Sequence, residues 1–153
     1  TGIRETLRTG MPEDVRVKKI AGHAVLMAQS GQYNVSRCRR HGEEGAARLA
    51  CCEFVNHTLA MLFLLNERHM PFYKWAFRAA KELPKLSKLI PTLEALLREP
   101  DEDTIERVSA AVIEELRAQG LTDGGWDFLE PHAYAVMRRI RNPEIAALHI
   151  MEV

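Results

Sequence analysis

The sequence lacks the short motifs that identify most nucleotide-binding and hydrolytic enzymes. It has no Walker phosphate-binding loop, no GxGxxG, no nucleophilic GxSxG and no zinc-binding HExxH. It also has no Gly-Ser turn followed by an Asp-x-Asp pair, the pattern that holds two catalytic cations in metal-dependent nucleotidyl transfer. We therefore expect no metal ion and no other cofactor to be bound within this chain.

Cysteines and long apolar runs are also scarce. The three cysteines form no CxxC and no Cys/His ligand spacing, which argues against a zinc ribbon or a disulfide scaffold and predicts free thiols in a reducing cytoplasm. The longest apolar run, residues 59–65, is too short to cross a bilayer. These observations predict a cytoplasmic protein with no membrane partner.

The chain has no excess of charge of either sign, since 21 basic residues balance 21 acidic ones. A zero net charge makes nucleic acid an improbable general partner. The charges are nevertheless unevenly distributed along the chain. Residues 66–88 contain six cations and two acids, and residues 99–115 contain seven acids and one cation. The overall neutrality therefore conceals a basic side and an acidic side.

Apolar residues recur at three- and four-residue steps in every long segment, and none alternates as strands do. This spacing predicts an all-α, up-and-down bundle of four to five main helices with additional short ones. The predicted helices cover residues 12–40, 43–66, 72–83, 85–98, 101–119, 131–141 and 143–152. We expect Gly31 to bend or interrupt the first, Pro91 to kink or divide the fourth, and Gly120 to end the fifth. Residues 1–11 are interpreted as a connecting segment and residues 12–153 as a single domain.

The second predicted helix is apolar around nearly its whole circumference, which is typical of a central helix. Glu53, Asn56 and His57 share one face of it at i, i+3 and i+4. A buried carboxylate must be paired, protonated or in contact with a wet cavity. In one interpretation the three residues form a structural network with a lysine: Lys18, Lys19 or Lys74. In the other, they line a substrate pocket in which Glu53 is the general base.

Two further segments carry polar residues in unusual positions. Residues 66–78 interleave cations with aromatic rings, a combination that suits a phosphate and a stacked base but also an ordinary amphipathic helix. Gln32, Tyr33 and Asn34 lie in a polar break between helical pieces, where they would shape either a ligand site or a turn. For each segment the sequence leaves both alternatives open, a ligand site and an ordinary helix or turn.

Three stretches of the chain resemble a bacterial domain-of-unknown-function family, the four-zero-three-seven family. The stretches are PEDVRVKKIAGHAVLMAQSGQYNVSRC, EFVNHTLAMLFLLNERHMPFYKWAFRAAKELP and HAYAVMRRIRNPEIAALHIME. The most specific part is LLNERHMPFYKW. In this family, similar segments follow an N-terminal nucleotidyltransferase-like domain. Its members look like distant relatives of kanamycin nucleotidyltransferase, whose C-terminal helical bundle helps to bind the substrate.

The resemblance implies that this chain is the C-terminal, substrate-binding half of a longer protein. The N-terminal domain would hold Mg²⁺ and a nucleoside triphosphate and would transfer NMP to a small hydroxylated acceptor, so we expect this half to be inactive alone. By analogy with the kanamycin enzyme, Glu53 would take the proton from the acceptor hydroxyl, and Lys74 and Arg78 would face the nucleotide phosphates. The remaining residues expected to bind substrate or nucleotide are Gln32, Tyr33, Asn34, Asn56, His57, Asn66, Arg68, Tyr73 and Trp75.

Two other functions stay open. The chain would be a non-catalytic interaction module, such as a homodimer formed through residues 72–77, if the polar cluster is purely structural. Arg141 and His149 also resemble the Arg…His pair of helical ribonucleases of the HEPN family, although Pro143 interrupts the helix between them.

Overall fold

The computed structural model describes residues 10–153, so most of the predicted connecting segment, residues 1–9, lies outside the described residues. Within the described part the regular structure is helical, which confirms the predicted all-α bundle. The α-helices are α1 (Glu13–Met27), α2 (Ser36–Arg40), α3 (Glu44–Leu65), α4 (Tyr73–Ala80), α5 (Ile90–Arg98), α6 (Glu102–Ala118), α7 (Leu129–Met137) and α8 (Pro143–Ala146). A π-helix (Ala28–Val35) joins α1 to α2, and a 3₁₀ turn (Ser87–Leu89) precedes α5.

The first helical unit runs without a break from α1 through the π-helix to α2, as the predicted helix over 12–40 requires. The expected distortion at Gly31 is a π-helix and not a simple bend. Glu13 and Asp14 lie in the first turn of α1, where carboxylates favour the positive end of the helix dipole. α1 packs mainly against α3 and α7, and the π-helix packs against α3.

Helix α3 is the central helix, but it is buried around its circumference only in its second half. Every residue from Thr58 to Asn66 is buried, whereas Leu49 near the other end is 71% exposed. The prediction of a central helix therefore describes the second half of α3 better than the first half, which has an exposed side. By length and composition α3 could also cross a membrane, but 61% of its most apolar stretch is buried inside the bundle, as in the core helix of a folded domain.

Pro91 divides the segment 85–98, as expected. It lies in the first turn of α5, where its missing N–H costs no helical hydrogen bond. The chain before it turns through Leu86, which has a left-handed φ of 64°. Helix α6 begins as the sequence indicates, because the Asp101 carboxylate accepts from the Thr104 amide at 2.9 Å, and Gly120 ends it with a φ of 72°.

The last two helices are shorter than predicted. Between them, the carboxylate of Asp14 accepts the amides of Arg141 and Asn142, and the Asn142 side chain caps α8. After Ala146 the chain leaves the helix and its last residues lie against Gly22 of α1, where Ile150 is buried. The predicted helix over 143–152 is therefore wrong beyond its first turn, because packing on α1 replaces helix continuation.

The core lies between α1, α3, α5, α6 and α7. Its largest fully buried side chains come from all of these helices: Ile20, Met27, Phe54, Met61, Leu62, Leu65, Ile90, Leu93, Leu96, Ile105, Leu116 and Leu129. Most of these residues recur at helical spacing in the sequence, which explains why the period alone predicted the helices.

Candidate functional site

A cavity of about 450 Å³ opens beside the π-helix. Its lining residues are Gln29, Tyr33 and Asn34 from the π-helix and Phe128 and Glu130 from the beginning of α7. The volume is within the range of sites that bind small molecules. The cavity therefore brings two of the three predicted residues of the polar break, Tyr33 and Asn34, into one candidate site.

One side of the π-helix packs closely against α3. Gly31 is buried, and a Cβ at this position would approach Phe54 Cγ within 2.7 Å. Ser30 is also buried, and its hydroxyl donates to the Leu26 carbonyl at 2.7 Å. The opposite side of the segment is exposed and carries the cavity residues. π-Helical segments are rare and are frequently found at functional sites.

Gln32 positions the cavity instead of lining it. Its Oε1 accepts from the Leu129 amide at 2.8 Å, and its Nε2 donates to a carboxylate oxygen of Glu106 at 3.0 Å and to the Asp127 carbonyl at 3.3 Å. One side chain thus fastens the first turn of α7 to the π-helix. This contact holds Phe128 and Glu130 opposite Tyr33 and Asn34.

Tyr33 is held by the neighbouring turn of the same helical unit. Arg37 Nη1 donates to the Tyr33 hydroxyl at 3.0 Å, and the Arg37 guanidinium carbon lies 5.6 Å from the ring centroid. About half of the Tyr33 side chain remains exposed. The phenol is therefore oriented by Arg37 and still accessible from the cavity.

The lining offers several hydrogen-bonding groups and two aromatic rings. Two amides can both donate and accept, a phenol can do the same, and the Glu130 carboxylate accepts from hydroxyl or ammonium groups. Phe128 adds an apolar face. This set suits a small molecule that carries hydroxyl or amino groups. The sequence does not identify Glu130 as a site residue, because an acidic residue in the first turn of a helix is common.

The polar cluster of α3 is not the buried site that the sequence suggested. Glu53 and Asn56 are exposed, so the expectation of a buried carboxylate is wrong. His57 alone is half-buried, and its Nδ1 lies 3.0 Å from Nδ1 of His23 on α1. Lys18, one of the proposed partners of Glu53, is buried and donates to the carbonyls of Ile150 and Glu152.

Asn66 is buried at the end of α3 and binds the backbone of a distant loop. Its Nδ2 donates to the Leu62 carbonyl at 2.7 Å and to the Lys85 carbonyl at 2.9 Å, and its Oδ1 accepts from the Lys85 amide at 2.8 Å. Arg68, which is exposed, donates from Nη1 to the Asn66 carbonyl at 2.9 Å. The contacts of Asn66 connect the end of α3 to the approach to α5, which is a structural role.

The predicted residues of α4 lie on the surface and away from the lining of the π-helix cavity. Lys74 and Arg78 flank Trp75, with the Lys74 ammonium 5.8 Å and the Arg78 guanidinium carbon 5.5 Å from the Trp75 ring centroid. Tyr73 is 76% exposed and its ring lies 4.6 Å from that of Phe72. The α4 surface, defined as residues 72–78, is thus a separate patch of rings and cations.

Among residues 10–153, no three His, Cys, Asp or Glu side chains are grouped so that they could hold a metal ion. The expected Mg²⁺ and nucleoside triphosphate belong to the predicted N-terminal domain and stay a prediction.

A family model described as "Domain of unknown function (DUF4037)" matches residues 1–76 of the chain. The chain belongs to this family. Searches of curated proteins and of solved structures found no match. The DUF4037 match covers α1, the π-helix, α2, α3 and the start of α4, so Gln29, Tyr33 and Asn34 lie inside it. Phe128 and Glu130 complete the cavity from outside the matched part. The DUF4037 match does not extend to kanamycin nucleotidyltransferase, and that relationship stays a prediction.

Proposed function

We propose that this domain binds a small hydroxylated molecule in the π-helix cavity and presents it to a nucleotidyl-transferring domain of the same protein. The observation that carries the proposal is the cavity itself, whose lining combines Tyr33 and Asn34 with the carboxylate of Glu130. The predicted relationship of the DUF4037 family to kanamycin nucleotidyltransferase is consistent with it. Mg²⁺ and the nucleoside triphosphate would be held by the other domain.

In this proposal Glu130 replaces Glu53 as the candidate general base. A general base must come within hydrogen-bond reach of the proton that it removes. Glu130 lines the cavity, whereas Glu53 is an exposed residue of α3 outside its lining. In the transfer step the acceptor oxygen would bond to the α-phosphorus, pyrophosphate would leave, and the hydroxyl proton would pass to Glu130.

The binding step can be tested on this chain by isothermal titration calorimetry with an aminoglycoside such as kanamycin and with a neutral disaccharide. We expect the aminoglycoside to bind and Glu130→Gln to weaken binding by about tenfold, since one charge-assisted hydrogen bond is lost. Asn34→Ala should weaken the binding of both ligands. Glu82→Gln, which neutralises an exposed carboxylate outside the cavity lining, is the matched control. If neither ligand binds, or if Glu82→Gln has the effect of Glu130→Gln, the proposal fails.

A second candidate function is a protein-interaction module, and the α4 surface favours it. Phe72 is 67% exposed and Trp75 is 51% exposed, which is unusual for large rings on one short segment. If α4 mediates dimerisation, sedimentation velocity should show a concentration-dependent dimer that Trp75→Ala abolishes. A monomer at all concentrations would exclude the homodimer.

A further inference from the structure

A second cavity, of about 200 Å³, lies between α1, α3 and the turn that follows α3. Four of its lining side chains carry or can accept a positive charge: Lys19, His23, Arg68 and His69. The other lining residues are apolar: Met11, Ala60, Phe63, Leu64 and Met70. The described lining therefore contains cationic and apolar groups and no carboxylate. We call it the basic cavity.

One lining residue of the basic cavity, His23, contacts a second histidine, His57 of α3. His23 Nδ1 and His57 Nδ1 are 3.0 Å apart, and the two ring centroids are separated by 5.2 Å. Because neutral imidazole has one N–H, one Nδ1 must donate and the other must accept. The contact holds one proton between the two Nδ1 atoms. If both Nδ1 atoms carried a proton, the two N–H groups would repel each other.

Arg68, another lining residue of the basic cavity, is held through a chain of backbone contacts. Its Nη1 donates to the Asn66 carbonyl at 2.9 Å, and Asn66 itself is held by both backbone groups of Lys85. A guanidinium has five N–H donors in a planar fork, so this one contact leaves most of them for a ligand. The fork suits the paired oxygens of a phosphate.

The electrostatics of the basic cavity disfavour additional positive charge. Burial, together with the smaller effects of the charges of His57, Lys19 and Lys18, lowers the pKa of His23 from 6.5 to about 4. Burial also lowers the pKa of His57, which Glu53 partly counteracts. An anion in the cavity would favour protonation of the histidine, because its negative charge would stabilise the protonated ring, which the neighbouring cations repel. The charged groups that act on the pair are Lys18 and Lys19 from α1 and Glu53 from α3. Arg68 and His69 from the turn line the same cavity as His23.

We propose that the basic cavity is a binding site for a phosphate-class oxyanion, held by Arg68, Lys19 and His23, with the added proton shared between His23 and His57. Binding takes up a proton, since the histidine that is neutral in the empty cavity becomes charged beside the anion. The site does not depend on the function of the π-helix cavity, because the two cavities share no lining residue.

The site can be tested by nitrogen-edited NMR of the histidine rings during titration with sodium sulfate, inorganic phosphate and ATP. Sulfate keeps its charge between about pH 5 and about pH 8, so a change in its affinity reports the protein groups. We expect the His23 and His57 resonances to shift on addition of sulfate and the affinity to be about tenfold higher at the lower pH. Phosphate and ATP distinguish a free anion from a nucleotide: equal affinity for both indicates recognition of the phosphate alone.

Two variants separate the basic cavity from the other cations of the surface. Arg68→Gln should weaken sulfate binding by about tenfold, whereas Arg98→Gln, which changes an exposed arginine at the end of α5 outside the lining, should leave it unchanged. His23→Gln should remove most of the pH dependence, and a well-dispersed NMR spectrum shows that this variant is folded. The proposal would be overturned if the histidine resonances do not shift on addition of sulfate or phosphate, or if they respond to Zn²⁺ and not to anions. Equal losses of sulfate affinity in the two arginine variants would also overturn it.

Discussion

Gly31 of the π-helix lies directly against the ring of Phe54 in α3, so close that any Cβ at position 31 would overlap the ring. The absence of a side chain lets the two helices approach each other, and the π-helix follows the surface of α3 at this point. The exposed side of the same segment carries Tyr33 and Asn34, which line the cavity of about 450 Å³. One glycine therefore connects the packing of the core to the shape of the candidate site.

Replacement of Gly31 by alanine should destabilise the protein. Phe54 is fully buried and cannot move away without cost, so we expect a loss of about 1–3 kcal/mol in the free energy of unfolding. Gly45 in the first turn of α3 is the matched control, since a Cβ there would meet nothing within 4 Å. Gly45→Ala should stabilise by about 0.5–1 kcal/mol through helix propensity. Urea denaturation of both variants measures the difference, and equal effects would contradict the close packing at Gly31.

Removal of the Asn66 side chain should also destabilise the protein. Asn66→Ala leaves the amide and the carbonyl of Lys85 without their side-chain partner, and we expect a loss of about 2 kcal/mol. Asn34→Ala removes the same group from an exposed position and should change stability by no more than about 0.5 kcal/mol. Thermal denaturation tests both variants. A small loss of stability in Asn66→Ala would mean that the Asn66 side chain does not stabilise the fold and is available to bind a ligand.

The helices could be predicted because their signal is local. Apolar residues at helical spacing located α1, α3 and α6, and Pro91 marked the division before α5. The π-helix could not be predicted, since it depends on Gly31 meeting Phe54 from another helix. The end of α8 depends in the same way on contacts between the last residues and α1. Features that are set by distant contacts have no local pattern.

The candidate site shows the same division. Tyr33 and Asn34 were identified because polar residues interrupt an apolar helical pattern. Glu53 was placed in a buried cluster because its neighbours in the sequence are apolar, but burial depends on what packs against a helix face, and this face of α3 is exposed. The hydrogen bond from the Leu129 amide to Gln32 positions Glu130 at the cavity, and these two residues are far apart in the sequence. No local signal could have indicated that contact.

The adjacent cysteines should differ strongly in reactivity. Burial raises the pKa of Cys51 to about 11, and its thiol lies 3.5 Å from the Leu96 carbonyl, whereas Cys52 is exposed. At about pH 8 only about one Cys51 in a thousand is the reactive thiolate. We expect iodoacetamide to modify Cys52 rapidly and Cys51 only after denaturation. Fragment-ion mass spectrometry distinguishes the two positions, and comparable native rates would show that Cys51 is accessible.

Stability should fall as acid is added, because His23 resists protonation in the folded protein. Its pKa is lowered from 6.5 to about 4, mainly by burial. As the pH falls below about 6.5 the unfolded chain takes up a proton at this residue and the folded protein does not, so unfolding is favoured until about pH 4. Each pH unit in this window costs about 1.4 kcal/mol, or about 3 kcal/mol in total. The lowered pKa of His57 acts in the same direction.

Carboxylates also titrate in this window, so the contribution of His23 must be isolated with variants. Urea denaturation at about pH 7.5 and about pH 4.5 gives the acid-induced loss for each protein. Because His23→Gln removes the titrating ring and leaves the carboxylates in place, its loss should be smaller than that of the unsubstituted protein by about 2–3 kcal/mol. His41→Gln, which changes an exposed histidine, should lose as much as the unsubstituted protein. An equal loss in all three proteins would show that His23 takes up its proton as easily in the folded state as in the unfolded chain.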